Sequence, residues 1–485
     1  MEQNSARVSR RGLLKVAGAG LCATAAARVP GDGSPGNPAQ PEPTTTYLTP
    51  TKKLKGTLSI LQRRHYVPRY DRWFDAYAQE WGRRVGVDVR VEHIDPERLV
   101  SRALEVIEAG SGHDLIEWTS SPAQLEPYLV DLADLHDEAV GRFGIEQPLC
   151  RRAGYNPTTK KYYGYAHAWA PCQGDYRKSL WQQVGLDDGP ATWEELREGG
   201  KAIKQKLNVA VGIGMSNELD SNIATRALMW SFGASVQNEL EQVVINSPET
   251  IAAVTSMVRL YREAMTPEVF SWNQLSNNQG LIAGRLSYIA NPISAYRTAQ
   301  VEAPEVANDI FFTPPLRGPA GVGLSGPQPV FVYFVPKFSK NVDAAKEFLL
   351  NLSANDAVST YQSELYNFPA FPSMVPQLDG WLADDPFGAR PPGKLKLLQN
   401  AGTWSVDIGY PGPSNPAIGQ VFTRSILPRM MARAAQGRQT PAESVAQAEA
   451  EIKPIFEKWR RRGLLNGETA HQGGDQERSG ERAGA

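Results

Sequence analysis

Short apolar runs and amphipathic segments alternate along most of the chain, and this alternation predicts strands and helices in turn. TLSIL (57–61) has the composition of a buried strand, and VDVRVEHI (87–94) alternates as a half-buried strand does. Between these runs, Trp73, Tyr77 and Trp81 recur every four residues and share one face of a predicted helix. Repeated strand–helix–strand units of this length predict a parallel sheet with right-handed connections.

The same alternation continues further along the chain. DLIEWT (114–119) and VFVYFVPK (330–337) predict two more buried strands. Thr192 and Glu195 have the spacing of a capping box, which predicts that a helix begins directly after Thr192. The middle of the chain is therefore predicted to be an α/β protein.

The first 27 residues have the layout of a cleaved export signal. Residues 9–15 (SRRGLLK) place two adjacent arginines at the start of a weakly apolar stretch over 12–27. The stretch is shorter than a membrane span of about 20 apolar residues, and the double arginine resembles the twin-arginine export motif. Leu21 precedes Cys22 where a lipid-anchor motif has a small residue, so we predict cleavage near Ala27 and no lipid anchor. A basic disordered terminus is the alternative.

Composition narrows the classes of protein that the chain can be. Its 485 residues hold 51 basic and 52 acidic side chains, a net charge of -1, so no positive excess indicates nucleic-acid binding. No later segment reaches about 18 consecutive apolar residues, which predicts a soluble protein after export. The six histidines are scattered without metal-ligand spacing, so we expect no metal and no cofactor. Whether Cys150 and Cys172 pair stays open, although export would permit a disulfide.

Four segments, in this order, resemble one protein family. They are DYRKSLWQQVGLDDGPATWEELREGGKAI (175–203), LIAGRLSYIANPISAY (281–296), FFTPPLRGPAG (311–321) and FSKNVDAAKEFLLNLSANDAVSTYQSELYNFPAFPS (338–373). Each segment is weakly specific by itself, and the second departs from the family's Gly-Lys-Ala-Met pattern. Together they resemble the extracellular solute-binding proteins of carbohydrate ABC importers, the maltodextrin-binding-like group, over about 57–462.

The resemblance implies an α/β fold with two lobes, the type II periplasmic-binding-protein fold, whose lobes are joined by crossing hinge strands. On this pattern the crossings lie near 168–174 and 318–330, and ligand binds in the cleft between the lobes. The predicted organisation is a twin-arginine-type signal over 1–27, a disordered linker over 28–55, lobe 1 over 56–170 and 330–375, lobe 2 over 171–329 and 376–465, and a disordered tail over 466–485.

The resemblance implies that ligand contacts come from loops at the carboxyl ends of strands and from the crossings, which agrees with the general rule for open α/β sheets. Tryptophan rings can cover apolar sugar faces, while charged and amide groups bind hydroxyls. The alternatives to ligand binding are a solvated loop at 63–65, core packing of the tryptophans and an Asx turn at 220–222. The candidates are Arg63, Arg64, His65, Glu117, Trp118, Trp169, Asp220, Asn222, Asn291, Ser294, Gln328, Trp404 and Asp407.

By resemblance, the protein is an exported, monomeric binder that captures a sugar or sugar-like solute and delivers it to membrane permease subunits. A ligand-binding sensor subunit would share the fold, and a glycan-acting enzyme is a third possibility. We expect no catalysis, because the sequence has neither a phosphate-binding glycine loop nor a Gly-x-Ser-x-Gly elbow. The solute stays open among neutral sugars, sugar acids, polyols and glycerol phosphodiesters.

Overall fold

The computed structural model describes residues 42–326 and 329–466, and these form strands and helices in alternation, which confirms the predicted α/β class. The strands are β1 (Thr57–Arg63), β2 (Asp88–Ile94), β3 (Leu115–Thr119), β4 (Tyr155–Asn156), β5 (Lys161–Tyr162), β6 (Tyr165–Trp169), β7 (Gln173–Arg177), β8 (Ala210–Gly212), β9 (Leu286–Asn291), β10 (Ile310–Thr313), β11 (Val330–Phe334) and β12 (Phe368–Pro369).

The helices surround the strands and include one long carboxy-terminal element. They are α1 (Pro68–Val85), α2 (Pro96–Ala109), α3 (Ala133–Phe143), α4 (Pro148–Gly154), α5 (Lys178–Gln182), α6 (Trp193–Leu207), α7 (Leu219–Ser231), α8 (Pro248–Ala264), α9 (Ser276–Ile282), α10 (Ser294–Glu302), α11 (Pro304–Asp309), α12 (Val342–Ser353), α13 (Asp356–Gln362), α14 (Leu378–Ala383), α15 (Ala401–Trp404), α16 (Pro416–Thr423), α17 (Ile426–Ala435) and α18 (Pro441–Arg461). Short 3₁₀ helices cover Ala123–Tyr128, Pro267–Phe270, Pro372–Met374 and Lys396–Asn400.

The larger sheet has six strands in the order β12-β6-β11-β3-β1-β2. Strand β1 runs parallel to β2 and β3, as the strand–helix–strand pattern predicts, whereas β11 runs antiparallel to β3 and β6. Every residue of β11 is buried, since strands lie on both sides of it and other elements cover the sheet. We call this sheet and the elements packed on it lobe 1.

The smaller sheet has four strands in the order β10-β7-β9-β8, with β8 parallel to β9 and β7 antiparallel to both of its neighbours. We call this sheet and the elements packed on it lobe 2. The chain leaves lobe 1 at Trp169 and enters lobe 2 at Gln173, so it crosses over residues 170–172. It returns between Thr313 and Val330. The exact lobe boundaries stay a prediction.

Helix starts follow local rules that the sequence displays. The Thr192 hydroxyl accepts from the backbone N–H of Glu195 at 3.1 Å, as predicted. The Glu195 carboxylate reaches back to the N–H of Ala191 at 2.7 Å, one residue before the position that a capping box uses. Helix α18 has the full capping box, because Thr440 and Glu443 exchange both hydrogen bonds.

Residues 42–55 correct the predicted linker, because they lie along lobe 1 with specific contacts. The Thr46 N–H donates to Asn355 Oδ1 at 2.7 Å, and Asn355 Nδ2 donates back to the Thr46 carbonyl at 2.8 Å. The Tyr47 ring stacks on Tyr77 with centroids 6.0 Å apart. Residues 1–41 and 467–485, which carry the predicted signal, half of the linker and nearly all of the tail, lie outside the described residues.

Two further expectations concern cysteines and membrane spans. Cys150 and Cys172 are both buried and neither forms a disulfide. Among residues 42–326 and 329–466, no helix has the length and apolar character needed to cross a lipid bilayer.

Candidate functional site

The two lobes meet along a cleft at the carboxyl ends of their parallel strands. The Tyr66 hydroxyl, just after β1 in lobe 1, donates to Oε1 of Gln274, just before α9 in lobe 2, at 2.8 Å. Two cavities of about 340 and 410 Å³ lie at this boundary, and both are lined by Pro96, Glu97 and Gln274. The cleft is therefore where side chains from both lobes can contact one small molecule.

Arg63, the last residue of β1, is a buried cation at this boundary. Its side chain is 1% exposed, and its three guanidinium nitrogens have no hydrogen-bond partner. The guanidinium carbon lies 4.5 Å from the ring centre of Tyr66 and 5.2 Å from that of Phe331. Its backbone N–H donates to Glu117 at 3.1 Å, and Glu117 also contacts His167 Nε2 at 3.2 Å. The head group of Arg63 thus keeps all its donors unused.

His65 lies beside Arg63 and positions an amide from a distant part of the chain. The Val67 N–H donates to His65 Nδ1 at 2.9 Å, so Nε2 carries the proton and donates to Asn367 Oδ1 at 3.0 Å. Burial and the charge of Arg63 lower the pKa of His65 to about 3, which keeps the ring neutral. The Asn367 Nδ2 group is buried and has no partner.

The backbone conformation after α13 delivers Asn367 to the cleft. Glu364 and Leu365 have φ values of 55° and 64°, so the chain reverses within two left-handed residues. The Asn367 N–H then donates to the Ser363 hydroxyl at 2.9 Å, and β12 begins at the next residue. Tyr366, carried by the same turn, contacts the His65 ring at 5.1 Å.

Lobe 2 faces this cluster with acidic and amide groups. Glu218 caps α7 by accepting from the N–H groups of Asp220 at 2.5 Å and Ser221 at 2.6 Å. Asn277 Nδ2 donates to Asp220 at 2.5 Å and to Asn291 at 3.2 Å. Burial raises the pKa of Asp220 well above its usual value, an effect that Arg63 partly opposes, and raises the pKa of Glu218 to about 7.

Strand β7 contributes a second pair of polar groups directly after the crossing. Gln173 Nε2 donates to Asp175 Oδ1 at 3.0 Å, which leaves Gln173 Oε1 and Asp175 Oδ2 buried without partners. Gly174 lies between them, and a β-carbon there would collide with Tyr288 and Thr313, so only glycine allows this close approach of the strand. Burial raises the pKa of Asp175 well above its usual value.

The family model for bacterial extracellular solute-binding proteins matches residues 67–358, more than half of the chain. The chain belongs to this family. A binding protein of Brucella abortus (strain 2308) is 24% identical over 279 residues, which cover 54% of this chain and 64% of the relative. A binding protein of Brucella suis biovar 1 (strain 1330) matches to the same extent. The aligned part of the chain thus spans just under two thirds of the length of these curated relatives.

Solved structures of solute-binding proteins share the fold of this one. The maltose-bound structure of MalE3 from T. maritima superposes with a TM-score of 0.69 at 19% identity, covering 82% of this chain and 100% of that one. A sugar transporter from Arthrobacter chlorophenolicus A6 with bound laminaribiose gives a TM-score of 0.70 at 16% identity, covering 82% and 99%. The two-lobe fold that the sequence predicts is confirmed, and family membership implies an extracytoplasmic location.

Several predicted site residues of this solute-binding protein lie at the cleft. Arg63, His65, Glu117, Asp220, Asn291 and Ser294 belong to the two facing clusters, with Ser294 Oγ accepting from Asn291 Nδ2 at 3.1 Å. Trp118 and Asn222 line the smaller cavity, and Arg64 lines the larger one. The polar loop expected at 220–222 is instead the first turn of α7, because Glu218 caps the helix there.

Three other candidates lie in different surroundings. The Trp169 indole donates to the Pro369 carbonyl at 3.3 Å and packs on Phe368, at the edge of the lobe 1 sheet. Trp404 is buried in the main hydrophobic cluster. Asp407 accepts from the Gly409 N–H and the Ser414 hydroxyl, both at 2.9 Å. Within the described part of the chain, Trp118 is the one tryptophan lining the two cavities. Gln328 lies outside the described residues.

Sequence reasoning missed half of the facing clusters. Gln173 lies within the predicted first crossing and Asp175 directly after it, so their position was a usable signal. Glu218 and Asn277 contact candidates that were predicted, but neither has a distinctive local motif. Asn367 comes from a turn with no motif in the sequence, and only the fold brings it to His65.

Proposed function

We propose that this solute-binding protein captures a sugar or sugar-like solute in the cleft between its lobes and delivers it to the permease of an ABC importer. The observation that carries the proposal is the buried guanidinium of Arg63, whose donors have no partner, opposite the acidic and amide groups of lobe 2. A solute with many hydroxyls suits such walls, because each hydroxyl both donates and accepts. The maltose and laminaribiose bound to two proteins of the same fold support this choice.

The proposal includes export and the absence of chemistry. The twin-arginine pattern over residues 9–15 supports export, with cleavage near Ala27 and no lipid anchor at Cys22. Binding drives the lobes together, and hydrolysis of ATP takes place in another subunit. The protein acts as a monomer and needs no cofactor.

Thermal unfolding of the purified full chain tests the function. The panel holds neutral mono- and oligosaccharides, sugar acids, polyols and glycerol phosphodiesters. A ligand that binds only the folded protein stabilises it by about 2.7 kcal/mol at a hundred times its dissociation constant. We expect a clear rise in midpoint with at least one sugar-like solute and no product in the recovered ligand. No shift with any member contradicts the solute class, and a released product contradicts the absence of catalysis.

A further inference from the structure

Four buried side chains near the lobe boundary and the crossing keep polar atoms without partners, and we call them the cleft-base cluster. Arg63 and Asn367 are each 1% exposed, and Gln173 and Asp175 are 2% and 0% exposed. The unpartnered atoms are Arg63 Nε, Nη1 and Nη2, Asn367 Nδ2, Gln173 Oε1 and Asp175 Oδ2. Buried polar atoms without partners are rare in native proteins, so several together indicate that another molecule supplies the partners.

The cluster is sorted by lobe. Lobe 1 offers donors from Arg63 and Asn367, which we call the donor wall, and lobe 2 offers the Gln173 amide oxygen and a carboxyl oxygen of Asp175, which we call the acceptor wall. The His65 ring joins the two donors, because it binds Asn367 at 3.0 Å and lies 5.9 Å from the Phe331 ring that Arg63 also covers. A ligand that satisfies both walls must carry strong acceptors at one end and donors at the other.

The acceptor network continues through lobe 2 toward Arg63. Asn291 pairs with Gln173 in the sheet register, and it also accepts from Asn277 at 3.2 Å. Asn277 in turn binds Asp220, whose carboxyl group is influenced by the charge of Arg63. A chain of side-chain contacts thus leads from the acceptor wall to Asp220, on which the charge of Arg63 acts.

The charge balance at the donor wall favours an anionic group. The carboxylates that act on Arg63 within lobe 1 are Glu117 and Asp71. Glu117 is held by the Arg63 backbone and His167, and Asp71 accepts from the His65 N–H at 3.0 Å. A buried guanidinium without a partner is unfavourable, and its planar fork matches a carboxylate in a two-point contact.

The acceptor wall argues against a more highly charged anion. Gln173 and Asp175 carry no positive charge, so Arg63 is the one cation of the cleft-base cluster and balances the single charge of a carboxylate better than the double charge of a phosphate. Hydroxyl groups, by contrast, can donate to Gln173 Oε1 and Asp175 Oδ2.

We propose that the solute is a sugar acid, whose carboxylate binds Arg63 and Asn367 and whose hydroxyls donate to Gln173 and Asp175. This inference rests on the proposed function, since it names the chemical class of the solute that the same cleft captures.

Calorimetric titration of the full chain compares D-glucuronate, D-galacturonate and D-gluconate with D-glucose, D-galactose and D-glucose 6-phosphate. We expect at least one acid to bind about 10- to 100-fold more tightly than its neutral parent, the range that a charge-assisted hydrogen bond provides. Equal binding of neutral sugars, or a preference for the phosphate, overturns the inference and leaves solute capture standing. If no sugar, acid or polyol binds, the proposed function fails with it.

Two variants and a matched control locate the preference. Arg63→Gln removes the cation and should abolish the preference for the acid. Asn367→Asp keeps an oxygen for His65 but replaces the free donor by an anionic oxygen, so acid binding should fall at least about tenfold, and by more than the binding of the neutral parent sugar. Arg90→Gln removes an equal charge from an exposed position on β2 and should change nothing. Wild-type acid binding in both Arg63→Gln and Asn367→Asp overturns the inference. If Arg63→Gln does not fold, wild-type acid binding in Asn367→Asp alone overturns it.

Discussion

Arg63 carries a positive charge in a place where the protein gives it no hydrogen bond. Its stacking on Tyr66 and Phe331 offsets part of the cost of desolvation, but aromatic faces replace water poorly. The buried, unpaired guanidinium therefore lowers the stability of the protein without ligand. Its donors, however, are already oriented for a ligand.

Replacing Arg63 by methionine should therefore stabilise the protein without ligand. Arg63→Met fills similar volume with no charge, and we expect the midpoint of thermal unfolding to rise by about 2–4 °C. Scanning calorimetry in the absence of ligand measures the change, and Arg90→Met, at an exposed position, serves as the control. A lower midpoint for Arg63→Met would show that the guanidinium is well solvated or paired in the empty protein.

The buried carboxyl group of Glu218 makes the free energy of unfolding depend on pH. Burial raises its pKa to about 7 from the ordinary value of 4.5, so the folded state holds a proton that the unfolded state has already lost. The associated stabilisation is fully present below about pH 4.5 and is lost as the pH rises through 7. Asp71, whose pKa burial raises to about 6, acts in the same direction.

We therefore expect the free energy of unfolding of the wild type to decline between pH 4.5 and 7, and the decline to be shallower in Glu218→Gln. Urea titrations at pH 5, 6, 7 and 8 measure it, with exposed Glu305→Gln as the control. A wild-type slope unchanged by Glu218→Gln would assign the pH dependence to other groups.

At the scale of elements, the start of α18 depends on one threonine. Thr440 Oγ1 accepts from the Glu443 N–H at 3.2 Å, and Glu443 Oε2 accepts from the Thr440 N–H at 2.8 Å. Thr440→Ala removes the hydroxyl half of this box and should cost about 1 kcal/mol of stability. Thr255→Ala is the control, because Thr255 is exposed within α8 and its hydroxyl bonds only the Ile251 carbonyl. Equal effects of the two changes in urea unfolding would argue against the cap.

Elements with a periodic apolar face were predictable from sequence, and elements held by tertiary contacts were not. The stripe of Trp73, Tyr77 and Trp81 predicted α1, which runs from Pro68 to Val85. The polar segment 42–55 was predicted as disordered, because its composition does not show that Asn355 will bind its backbone. Local patterns report local structure, whereas this segment is ordered by a partner some 300 residues away.

The residues of the candidate site also divide into those that the sequence predicts and those that only tertiary contacts bring into place. Arg63 and Asp220 follow or flank predicted strands, so the rule for open sheets identified them. No local sequence pattern marks Asn367. Its position depends on the left-handed residues Glu364 and Leu365 and on the hydrogen bond with His65, which lies just after β1. Trp169 was predicted from its place at the first crossing, where the family that the sequence resembles exposes side chains to the cleft. It packs against Phe368 instead, because a large apolar ring at a strand end is as easily buried in the core.

For the whole molecule, the Tyr66–Gln274 hydrogen bond is one of the contacts that join the lobes across the cleft. Tyr66→Phe keeps the ring beneath Arg63 but removes this bond, whose net value is about 0.5–1.5 kcal/mol. We expect the population of separated lobes to rise about 2- to 10-fold and ligand affinity to fall by up to that factor. Small-angle scattering and calorimetry measure the two effects.

Tyr128→Phe is the matched control, because Tyr128 is half exposed and lines neither of the two cavities. Scattering curves and affinities for Tyr66→Phe that coincide with those of Tyr128→Phe would show that the bond does not influence how the lobes approach each other.

Strand β7 begins only a few residues after the crossing from lobe 1, and its first residues include Gln173 and Asp175. Displacement in a rotation grows with distance from the axis, so a slight turn at this pivot moves the parts of lobe 2 that lie far from the crossing much further. A solute bound at Gln173 and Asp175 therefore lies close to the axis about which lobe 2 rotates. Small differences in how solutes fit beside the crossing then produce large differences in the position of the distant parts of lobe 2. A protein that contacts those parts can thereby distinguish one bound solute from another.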